Sequence, residues 1–347
     1  MIIVLSLVAA LWAIGWANGA SRNMRAIMVA ALLIVIIIVH LMLPFGHPLR
    51  KNTGQEAAPW IFIIVIGFVI WGYSTVLSRV RSRAKVALEP SAKQPAYSGL
   101  FSETELDRYA RHIVLREIGG AGQKALKEAS VLVVGAGGLG ASALQYLAAA
   151  GVGNIGVIDD DVVENSNLQR QVIHTYAGIG MAKVQSAAEA MAALNPNINV
   201  LPYQRRLSPE IAPDLIADYD LVLDGTDNFD TRYLVNAACT KAGVPLISAA
   251  LTQWEGQISL YDPANGTPCY QCIFPEIPDS FLSLSCVEGG VLGPLPGVLG
   301  AMMAVEAVKA LTGAGEGLCG RLLIYDALYA ETRTILAKPR ADCPICG

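Results

Sequence analysis

Apolar residues near the N-terminus form long unbroken stretches, whereas later in the chain they form short runs between polar and glycine-rich segments. Three stretches, 1–17, 26–43 and 59–76, contain no Lys, Arg, Asp or Glu. Each is about long enough to cross a hydrocarbon core of roughly 30 Å as a helix. The pattern therefore predicts a bundle of about three transmembrane helices within residues 1–85. A linker with several Pro, Ser and Ala residues is predicted over residues 86–100.

Basic residues are concentrated beside these stretches. The first 88 residues contain eight Lys or Arg and one acid, Glu56, although the whole chain has a net charge of −4 at pH 7, so the rest of the chain is acidic. With three crossings, six of these basic residues lie on the same side of the membrane as the segment after the third stretch, and two, Arg50 and Lys51, lie on the other side. The positive-inside bias therefore predicts a multi-pass membrane protein whose C-terminal domain faces the cytoplasm. The acidity of that domain argues against nucleic acid as a partner.

From residue 101 onward, short apolar runs alternate with helix-like segments. A cap-rich, acidic segment at Ser102 predicts a helix that runs through residues 108–115. The pattern then predicts a strand–turn–helix unit over 130–152 and a helix at 182–194. It also predicts strands within 154–161, 197–204 and 220–228. This alternation predicts an α/β domain over residues 101–347 with a Rossmann-like, doubly wound sheet. After Pro245, the runs LISAAL, QISLYD and LLIYDALYAETRTIL predict an antiparallel extension of that sheet.

The first predicted strand leads into a glycine turn with the pattern Gly135-x-Gly137-x-x-Gly140. In a strand–turn–helix context, these glycines let backbone N–H groups approach a phosphate at the helix N-terminus. Asp159 follows Gly135 by 24 residues, where a carboxylate can accept hydrogen bonds from ribose hydroxyls. These two features alone favour a nicotinamide-dependent dehydrogenase.

The residues that follow the second predicted strand favour a triphosphate instead. Arg170 lies in SNLQRQ (166–171), and Lys183 lies at the start of the next predicted helix. Two cations near a phosphate turn suit a reaction in which charge accumulates on leaving pyrophosphate. Asp227, just beyond the fourth predicted strand, can bind Mg2+ between phosphates, and Asp227-Asn228 can also cap the next helix. The sequence contains no G-x-x-x-x-G-K-[ST] motif, which excludes a P-loop.

Four of the seven cysteines form two C-x-x-C pairs, Cys269/Cys272 and Cys343/Cys346. Two such pairs can close a tetrathiolate zinc site, which would be structural because sulfur fills all four positions. Disulfides and redox C-x-x-C motifs are the alternatives, but neither explains two pairs in one small domain. Cys286 lies in LSCVEGGVLGPLPG, a stretch typical of a mobile loop, and a role for its thiol in catalysis is an open hypothesis.

These motifs together resemble the adenylyltransferases that activate ubiquitin-fold sulfur carriers, of the molybdopterin-synthase and thiamine sulfur-carrier type. The resemblance covers residues 101–347 and rests on RYARHIVLREIGGAGQ, GAGGLG, DDDVVENSNLQRQ, GMAKV, DGTDN, EGQ, PCYQC and CPICG, in that order. It implies a homodimer in which Mg·ATP adenylates the C-terminal Gly-Gly carboxylate of a carrier protein and pyrophosphate leaves. It also implies a separate sulfur donor protein, since no rhodanese domain follows CPICG.

The resemblance further implies a role for each site residue. Gly138 would contact the nucleotide through its backbone, Asp159 would bind ribose, and Asp227 would bind Mg2+. The full set implied for ATP and Mg2+ is Gly135, Gly137, Gly138, Gly140, Asp159, Ser166, Asn167, Arg170, Lys183, Asp227 and Asn228. Arg170, Lys183 and Asp227 would act in catalysis, and Arg111 would reach into the neighbouring subunit's site. The carrier's tail would pass beneath the loop that contains Cys286.

Three other functions stay open on the sequence alone. A relative that acts as a tRNA threonylcarbamoyladenosine dehydratase would use the same adenylation chemistry on a different carboxylate. An NAD-dependent oxidoreductase would leave Arg170, Lys183 and Asp227 unexplained. A membrane-bound scaffold without activity would not need to keep the residues that bind phosphate and Mg2+, all of which are present in this sequence.

Overall fold

The computed structural model describes residues 2–19, 21–54, 56–67, 72–73, 99–276 and 289–347. Contacts between residues divide the chain into two compact units, Met1–Ala96 and Tyr97–Gly347. The predicted linker over residues 86–100 lies almost entirely outside the described residues, so its boundaries stay predictions.

The described part of the N-terminal unit is helical. Its helices are α1 (Ile2–Ala17), α2 (Arg22–Met42), α3 (Pro48–Thr53) and α4 (Ala58–Gly67). Helix α2 begins after Ser21, whose hydroxyl accepts a hydrogen bond of 3.3 Å from the Met24 amide. A small apolar core is formed by Val4, Leu33, Ile36 and Trp60.

The prediction of three transmembrane helices is wrong. Among the described residues of this unit, the helix that is long and apolar enough to cross a membrane is Met24–Met42. Helix α1 has 16 residues, which is about 24 Å of helix and therefore shorter than the hydrocarbon core. The third stretch, 59–76, is described as an unbroken helix only as far as Gly67, and most of its remaining residues lie outside the described ones.

The second unit combines helices and strands in alternation. Its helices are α5 (Glu103–Ile113), α6 (Gly119–Glu128), α7 (Gly138–Ala150), α8 (Lys183–Leu194), α9 (Ala212–Ala217), α10 (Phe229–Ala242), α11 (Tyr270–Ile273) and α12 (Pro294–Thr312). Its strands are β1 (Ser130–Val134), β2 (Asn154–Ile158), β3 (Asn199–Tyr203), β4 (Leu221–Asp224), β5 (Leu246–Leu251), β6 (Glu255–Tyr261), β7 (Arg321–Asp326) and β8 (Glu331–Leu336). The predicted capping of α5 is confirmed, because Ser102 and Glu105 form a capping box.

All eight strands form one sheet in the order β3-β2-β1-β4-β5-β6-β7-β8. Neighbouring strands are parallel from β3 to β5 and antiparallel from β5 to β8. This confirms the Rossmann-like α/β sheet and its antiparallel extension. The extension begins one strand later than predicted, because α10 returns the chain so that β5 pairs in parallel with β4. The run LLIYDALYAETRTIL forms the hairpin of β7 and β8.

Each face of the sheet is covered by an apolar layer. Val131 and Val133 of β1 belong to one layer, and Leu132 and Val134 belong to the other, as the alternation of side chains in a strand requires. Helix α12 is also long and apolar enough to cross a membrane, but it is a core helix of this unit, and its Leu299 is fully buried in the first layer. Since α12 begins at Pro294, the predicted loop through residues 284–297 ends in a helix, which proline at its first position permits.

Candidate active site and metal centre

The glycine turn connects β1 to the N-terminus of α7. Gly135 has a φ of +93°, which side-chain-bearing residues rarely adopt. A Cβ atom on Gly140 would overlap the carbonyl oxygen of Gly135, so the turn and the first turn of α7 are in direct contact. Gly137 precedes the helix and supplies no side-chain cap. The first N–H groups of α7 are therefore available to an anion.

The peptide groups of Ala136, in the middle of the turn, are held by two side chains. The Ala136 amide donates a hydrogen bond of 2.8 Å to Asp159, and its carbonyl oxygen accepts one of 3.0 Å from His174. His174 is buried, and burial lowers the pKa of its imidazole. Since a carbonyl oxygen only accepts, Nε2 has the proton and Nδ1 accepts from the Ser186 hydroxyl at 2.9 Å. The sequence analysis missed His174, and no motif marks it.

The loop with SNLQRQ approaches the same turn. A Cβ atom on Gly138 would lie 3.7 Å from Cγ of Arg170, so the arginine stem passes beside the first residue of α7. The Arg170 guanidinium donates to the carbonyl oxygen of Ser166 at 3.1 Å. The Asn167 carbonyl oxygen accepts from the amides of Arg170 and Gln171 at 3.1 Å and 3.0 Å. The predicted residues Ser166, Asn167 and Arg170 thus belong to one hydrogen-bonded loop.

Lys183 begins α8 and is nearly inaccessible, with 7% of its side chain exposed. Its ammonium group forms an ion pair of 2.7 Å with Asp161, and its amide donates to the carbonyl oxygen of the same residue. Asp161 is 65% exposed, which leaves the pair open to exchange with a stronger anion. Carboxylate oxygens of Asp159, Asp160 and Asp161 lie within 4.8 Å of one another, so this lysine is positioned at an acidic cluster.

Asp227 lies beyond the carboxyl end of β4, in the loop that leads to α10. A Cβ atom on Gly225 would lie 3.0 Å from the Gly140 amide nitrogen, so this loop packs against the glycine turn. Asn228 caps α10, since its side chain accepts a hydrogen bond of 2.9 Å from the Thr231 amide. Asp227 itself is exposed, and its carboxylate is not part of the group formed by Asp159–Asp161. The predicted capping role thus belongs to Asn228, and Asp227 remains available to a ligand.

A buried ion pair lies beneath this loop, and the sequence analysis missed it. Asp224 is fully buried and accepts hydrogen bonds from Thr226 and Ser248 at 2.6 Å and 2.8 Å. Its partner is Arg232, also buried, at 3.7 Å. Arg232 also donates to the Thr226 carbonyl oxygen at 2.6 Å. The D-x-x-D-N spacing contained the signal, since a buried strand does not end on a carboxylate without a partner.

The four paired cysteines come together as predicted. Their Sγ atoms all lie within 4.8 Å of one another, with separations of 4.0 Å for Cys269–Cys272, 3.6 Å for Cys269–Cys343 and 3.4 Å for Cys272–Cys346. A tetrahedron with Zn–S bonds of about 2.3 Å has edges of about 3.8 Å. Although burial raises the pKa of the Cys343 thiol, backbone hydrogen bonds from Cys346 and Ile345 bring it down to about 7. The number and the spacing of the four Sγ atoms fit a structural zinc ion.

Two predicted residues are not placed in these sites. Arg111 is exposed near the end of α5, where it is free to contact another chain. Cys286 lies outside the described residues, so its predicted thiol role stays a prediction.

Comparisons with known proteins agree on one family. The model of the ThiF family matches residues 109–345. The chain is 48% identical over 244 residues to the SAMP-activating enzyme E1 of Haloferax volcanii, covering 70% of this chain and 90% of that protein. It is 47% identical over 251 residues to the sulfur carrier protein adenylyltransferase of Thermus thermophilus, covering 71% of this chain and 93% of that protein.

Other curated relatives of similar identity are longer, and the chain spans between 51% and 65% of their length. Their names describe them as both adenylyltransferases and sulfurtransferases. Among solved structures, Escherichia coli MccB with ATP matches with a TM-score of 0.63 and 24% identity, over 71% of this chain and 75% of that one. At this identity the match supports the fold alone.

Proposed function

Because the chain belongs to the ThiF family, we propose that it is an ATP-dependent adenylyltransferase that activates a ubiquitin-fold sulfur-carrier protein at its C-terminal Gly-Gly carboxylate. The site observation that supports this most directly is the arrangement around α7. An uncapped helix N-terminus, the stem of Arg170 and the buried Lys183 with its acidic partner all belong to the segments that surround one glycine turn.

The reaction joins a carboxylate to the α-phosphorus of ATP. A carboxylate oxygen of the carrier forms a bond to the α-phosphorus as the bond to the bridging oxygen breaks, and pyrophosphate leaves with the electron pair. The products are an acyl-adenylate and pyrophosphate. Negative charge grows on the leaving group, so cations at the turn stabilise the transition state more than the ground state. Arg170 and Lys183 supply those cations, and the α7 amides bind a phosphate oxygen.

Lys183 must exchange partners in this scheme. Its ammonium group is paired with the exposed Asp161, and a triphosphate presents more charge than one carboxylate. Asp161 therefore pairs with the lysine until Mg·ATP binds. Only the lysine of this pair is buried. After the exchange, the buried ammonium group is paired with the triphosphate, and the exposed Asp161 carboxylate is solvated by water.

Two metal ions complete the proposal. Asp227 is the proposed Mg2+ ligand, at the carboxyl edge of the sheet where α/β proteins bind their ligands. When bound, Mg2+ neutralises charge on the phosphates during transfer. Cys269, Cys272, Cys343 and Cys346 hold the proposed zinc ion, which fixes the C-terminal segment to the rest of the domain.

The partners extend beyond the carrier. A homodimer would let Arg111 of one subunit contact the nucleotide of its partner, in keeping with its exposed position on α5. The longer relatives combine both activities in one chain, and this chain matches only about half to two thirds of their length. We also propose, as the sequence resemblance implies, that a separate protein donates sulfur to the acyl-adenylate.

We also propose that the N-terminal unit attaches the enzyme to a membrane, with the adenylyltransferase domain on the cytoplasmic side. Helix α2 contains 19 residues, Met24–Met42, with a mean hydropathy of 2.7 and mostly exposed side chains. The basic residues Arg79, Arg81, Arg83 and Lys85 precede the adenylyltransferase domain, where the positive-inside bias places them on the cytoplasmic face.

ATP–pyrophosphate exchange tests the function. Exchange of labelled pyrophosphate into ATP is expected only when a carrier that ends in Gly-Gly is present, and a carrier with that terminal glycine removed serves as the control. Exchange that requires tRNA instead would assign the chain to the dehydratase type. Turnover of NADH without exchange would contradict the proposal.

A further inference from the structure

Helix α10 contacts both candidate sites. It begins at Phe229, two residues after Asp227, and its cap Asn228 is followed at intervals of four residues by Arg232 and Asn236. Side chains spaced by four residues lie on one face of a helix. Asn228 caps the first turn, and the other two side chains of this face contact the nucleotide loop and the cysteine cluster.

Asn236 holds the first cysteine pair. Its side chain is 1% exposed, and Nδ2 donates to Sγ of Cys269 at 3.7 Å. The same amide accepts a hydrogen bond of 2.8 Å from the Tyr270 amide. An N–H donor to a metal-bound thiolate orients the ligand and stabilises its charge. Asn236 is therefore a positioning residue for the zinc ligand Cys269.

Arg232 links the segment of this ligand to the loop of Asp227. Its guanidinium lies 5.8 Å from the centroid of the Tyr270 ring, next to Cys269. The same group donates to the carbonyl oxygen of Thr226, next to Asp227, at 2.6 Å. It cannot move without breaking buried contacts, because it also donates to the Ala249 carbonyl oxygen and pairs with Asp224. One rigid side chain thus contacts both Thr226, next to the proposed Mg2+ ligand Asp227, and Tyr270, next to the proposed zinc ligand Cys269.

We propose that α10 couples zinc occupancy to Mg·ATP binding through Asn236 and Arg232. This inference rests on the proposed function, since it takes Mg·ATP as the ligand of the Asp227 loop. With zinc bound, Cys269 and Tyr270 are fixed, and Arg232 keeps the Thr226 carbonyl in one position. Without zinc, the cysteine pair is released and the loop must be ordered when the nucleotide binds, which weakens binding. Coupling between sites is reciprocal, so Mg·ATP must strengthen zinc retention.

The full-length, zinc-loaded protein provides the test. Transfer of zinc to a chromophoric chelator is measured with and without saturating Mg·ATP, and Mg·ATP binding is measured separately on the same protein. We expect transfer to be at least about fivefold slower with Mg·ATP, which is the lower end of typical coupling between sites. Because free ATP also binds zinc, Asp227→Ala sets the baseline. Bound Mg·ATP with unchanged zinc transfer would overturn the coupling alone, whereas failure to bind Mg·ATP would overturn the proposed function as well.

Variants of α10 identify the residues responsible. Asn236→Asp keeps the acceptor for the Tyr270 amide but loses the donor to Cys269, so zinc transfer should be faster than in the unaltered chain. Arg232→Lys should abolish the effect of Mg·ATP on zinc transfer, since lysine cannot reach the Tyr270 ring and the Thr226 carbonyl together. Tyr233→Phe is the matched control, because it keeps the ring that packs edge-on against Tyr270 and removes only a hydroxyl that donates to the Phe274 carbonyl oxygen. Wild-type behaviour of Asn236→Asp and Arg232→Lys would contradict these roles.

Discussion

At the scale of single residues, the two acidic side chains of DGTDN have opposite environments. Asp224 is fully buried and hydrogen-bonded, whereas Asp227, three residues later, is exposed. Burial of the first fixes the backbone from which the second extends. A carboxylate that binds Mg2+ must stay ionised and accessible, and an exposed aspartate at the end of a strand satisfies both requirements.

Asp227→Ala is expected to reduce carrier-dependent ATP–pyrophosphate exchange by at least about a hundredfold, since removing one group that stabilises transferring phosphate costs roughly that much. Zinc content and thermal unfolding should be unchanged, because the side chain is exposed. Asp230→Ala, an exposed aspartate in the first turn of the same helix, is the matched control and should keep its exchange rate. Equal loss in both variants would show that helix charge, not metal binding, is responsible.

His174 predicts a pH dependence of stability. Its pKa in the folded protein is lowered by burial, so the unfolded chain binds a proton more readily. The free energy of unfolding should therefore fall as pH decreases through about 6.5, the ordinary pKa of histidine. His174→Gln keeps an N–H donor for Ala136 without a titrating ring, and chemical denaturation between pH 7.5 and 5.5 should show a smaller decline. A decline equal to that of the unaltered chain would assign the effect to other groups.

At the scale of elements, the packing of α12 against α7 fixes the position of the glycine turn's helix. A Cβ atom on Gly300 would overlap the Leu139 carbonyl oxygen of α7, and one on Gly138 would lie 2.8 Å from Cβ of Pro296. Each helix thus contributes a glycine to a close contact at the N-terminal end of α7. The first turn of α7, which binds phosphate in the proposed reaction, is fixed by this contact.

Two glycine substitutions in α12 separate close packing from helix propensity. Gly297→Ala meets only Ser142 Oγ at 3.5 Å, an ordinary contact, so it should stabilise the domain by up to about 1 kcal/mol. Gly300→Ala must push α12 away from α7, so it should destabilise the domain by about 1–3 kcal/mol and raise the KM for ATP. Denaturant unfolding and exchange kinetics measure these effects. Equal stabilisation by both variants would mean that the helices are not in close contact at Gly300.

The sequence predicted the elements that follow a regular period, and it failed where burial depends on distant residues. Strands such as β1 and the capped helix α5 were predictable, because their signals are local. Helix α12 begins with Pro-Leu-Pro-Gly, a composition typical of loops, and is a helix because its apolar residues pack on the sheet. Arg232 could not be assigned, since its partners Ser248 and Ala249 lie on β5, a strand later in the chain.

The candidate site shows the same division. Spacing predicted that Gly135, Asp159 and Arg170 share one site, and in the structure Asp159 bonds the turn while the Arg170 stem lies beside the first residue of α7. Spacing did not predict that Lys183 pairs with Asp161, because charge alone does not specify which of three adjacent aspartates lies nearest. At the N-terminus, counting apolar residues gave three spans, although the length of each continuous helix decides whether it crosses a membrane.

At the scale of the whole molecule, the N-terminal unit is distinguished by the large apolar side chains on its surface. In the N-terminal unit, Trp16, Leu41, Met42 and Phe45 are each more than 70% exposed. Large apolar side chains in such number are unfavourable in water, which supports the proposed attachment of this unit to a membrane. The described residues of the second unit form their own two-sided core and include the glycine turn, Lys183 and Asp227.

This division predicts that membrane binding and adenylation are separable. Removal of residues 1–96 should leave zinc content and carrier-dependent exchange within about twofold of the full-length chain, since every described residue of the sheet's two apolar layers comes after residue 97. In a flotation gradient, the truncated protein should stay in the dense bottom fraction, while the full-length chain rises with phosphatidylcholine vesicles. The control is a full-length variant in which glutamine replaces four basic residues, Arg79, Arg81, Arg83 and Lys85. It should still float, because binding through α2 depends on apolar burial and not on charge. A truncated protein that still floats, or a full-length chain that does not, would contradict attachment through the N-terminal unit.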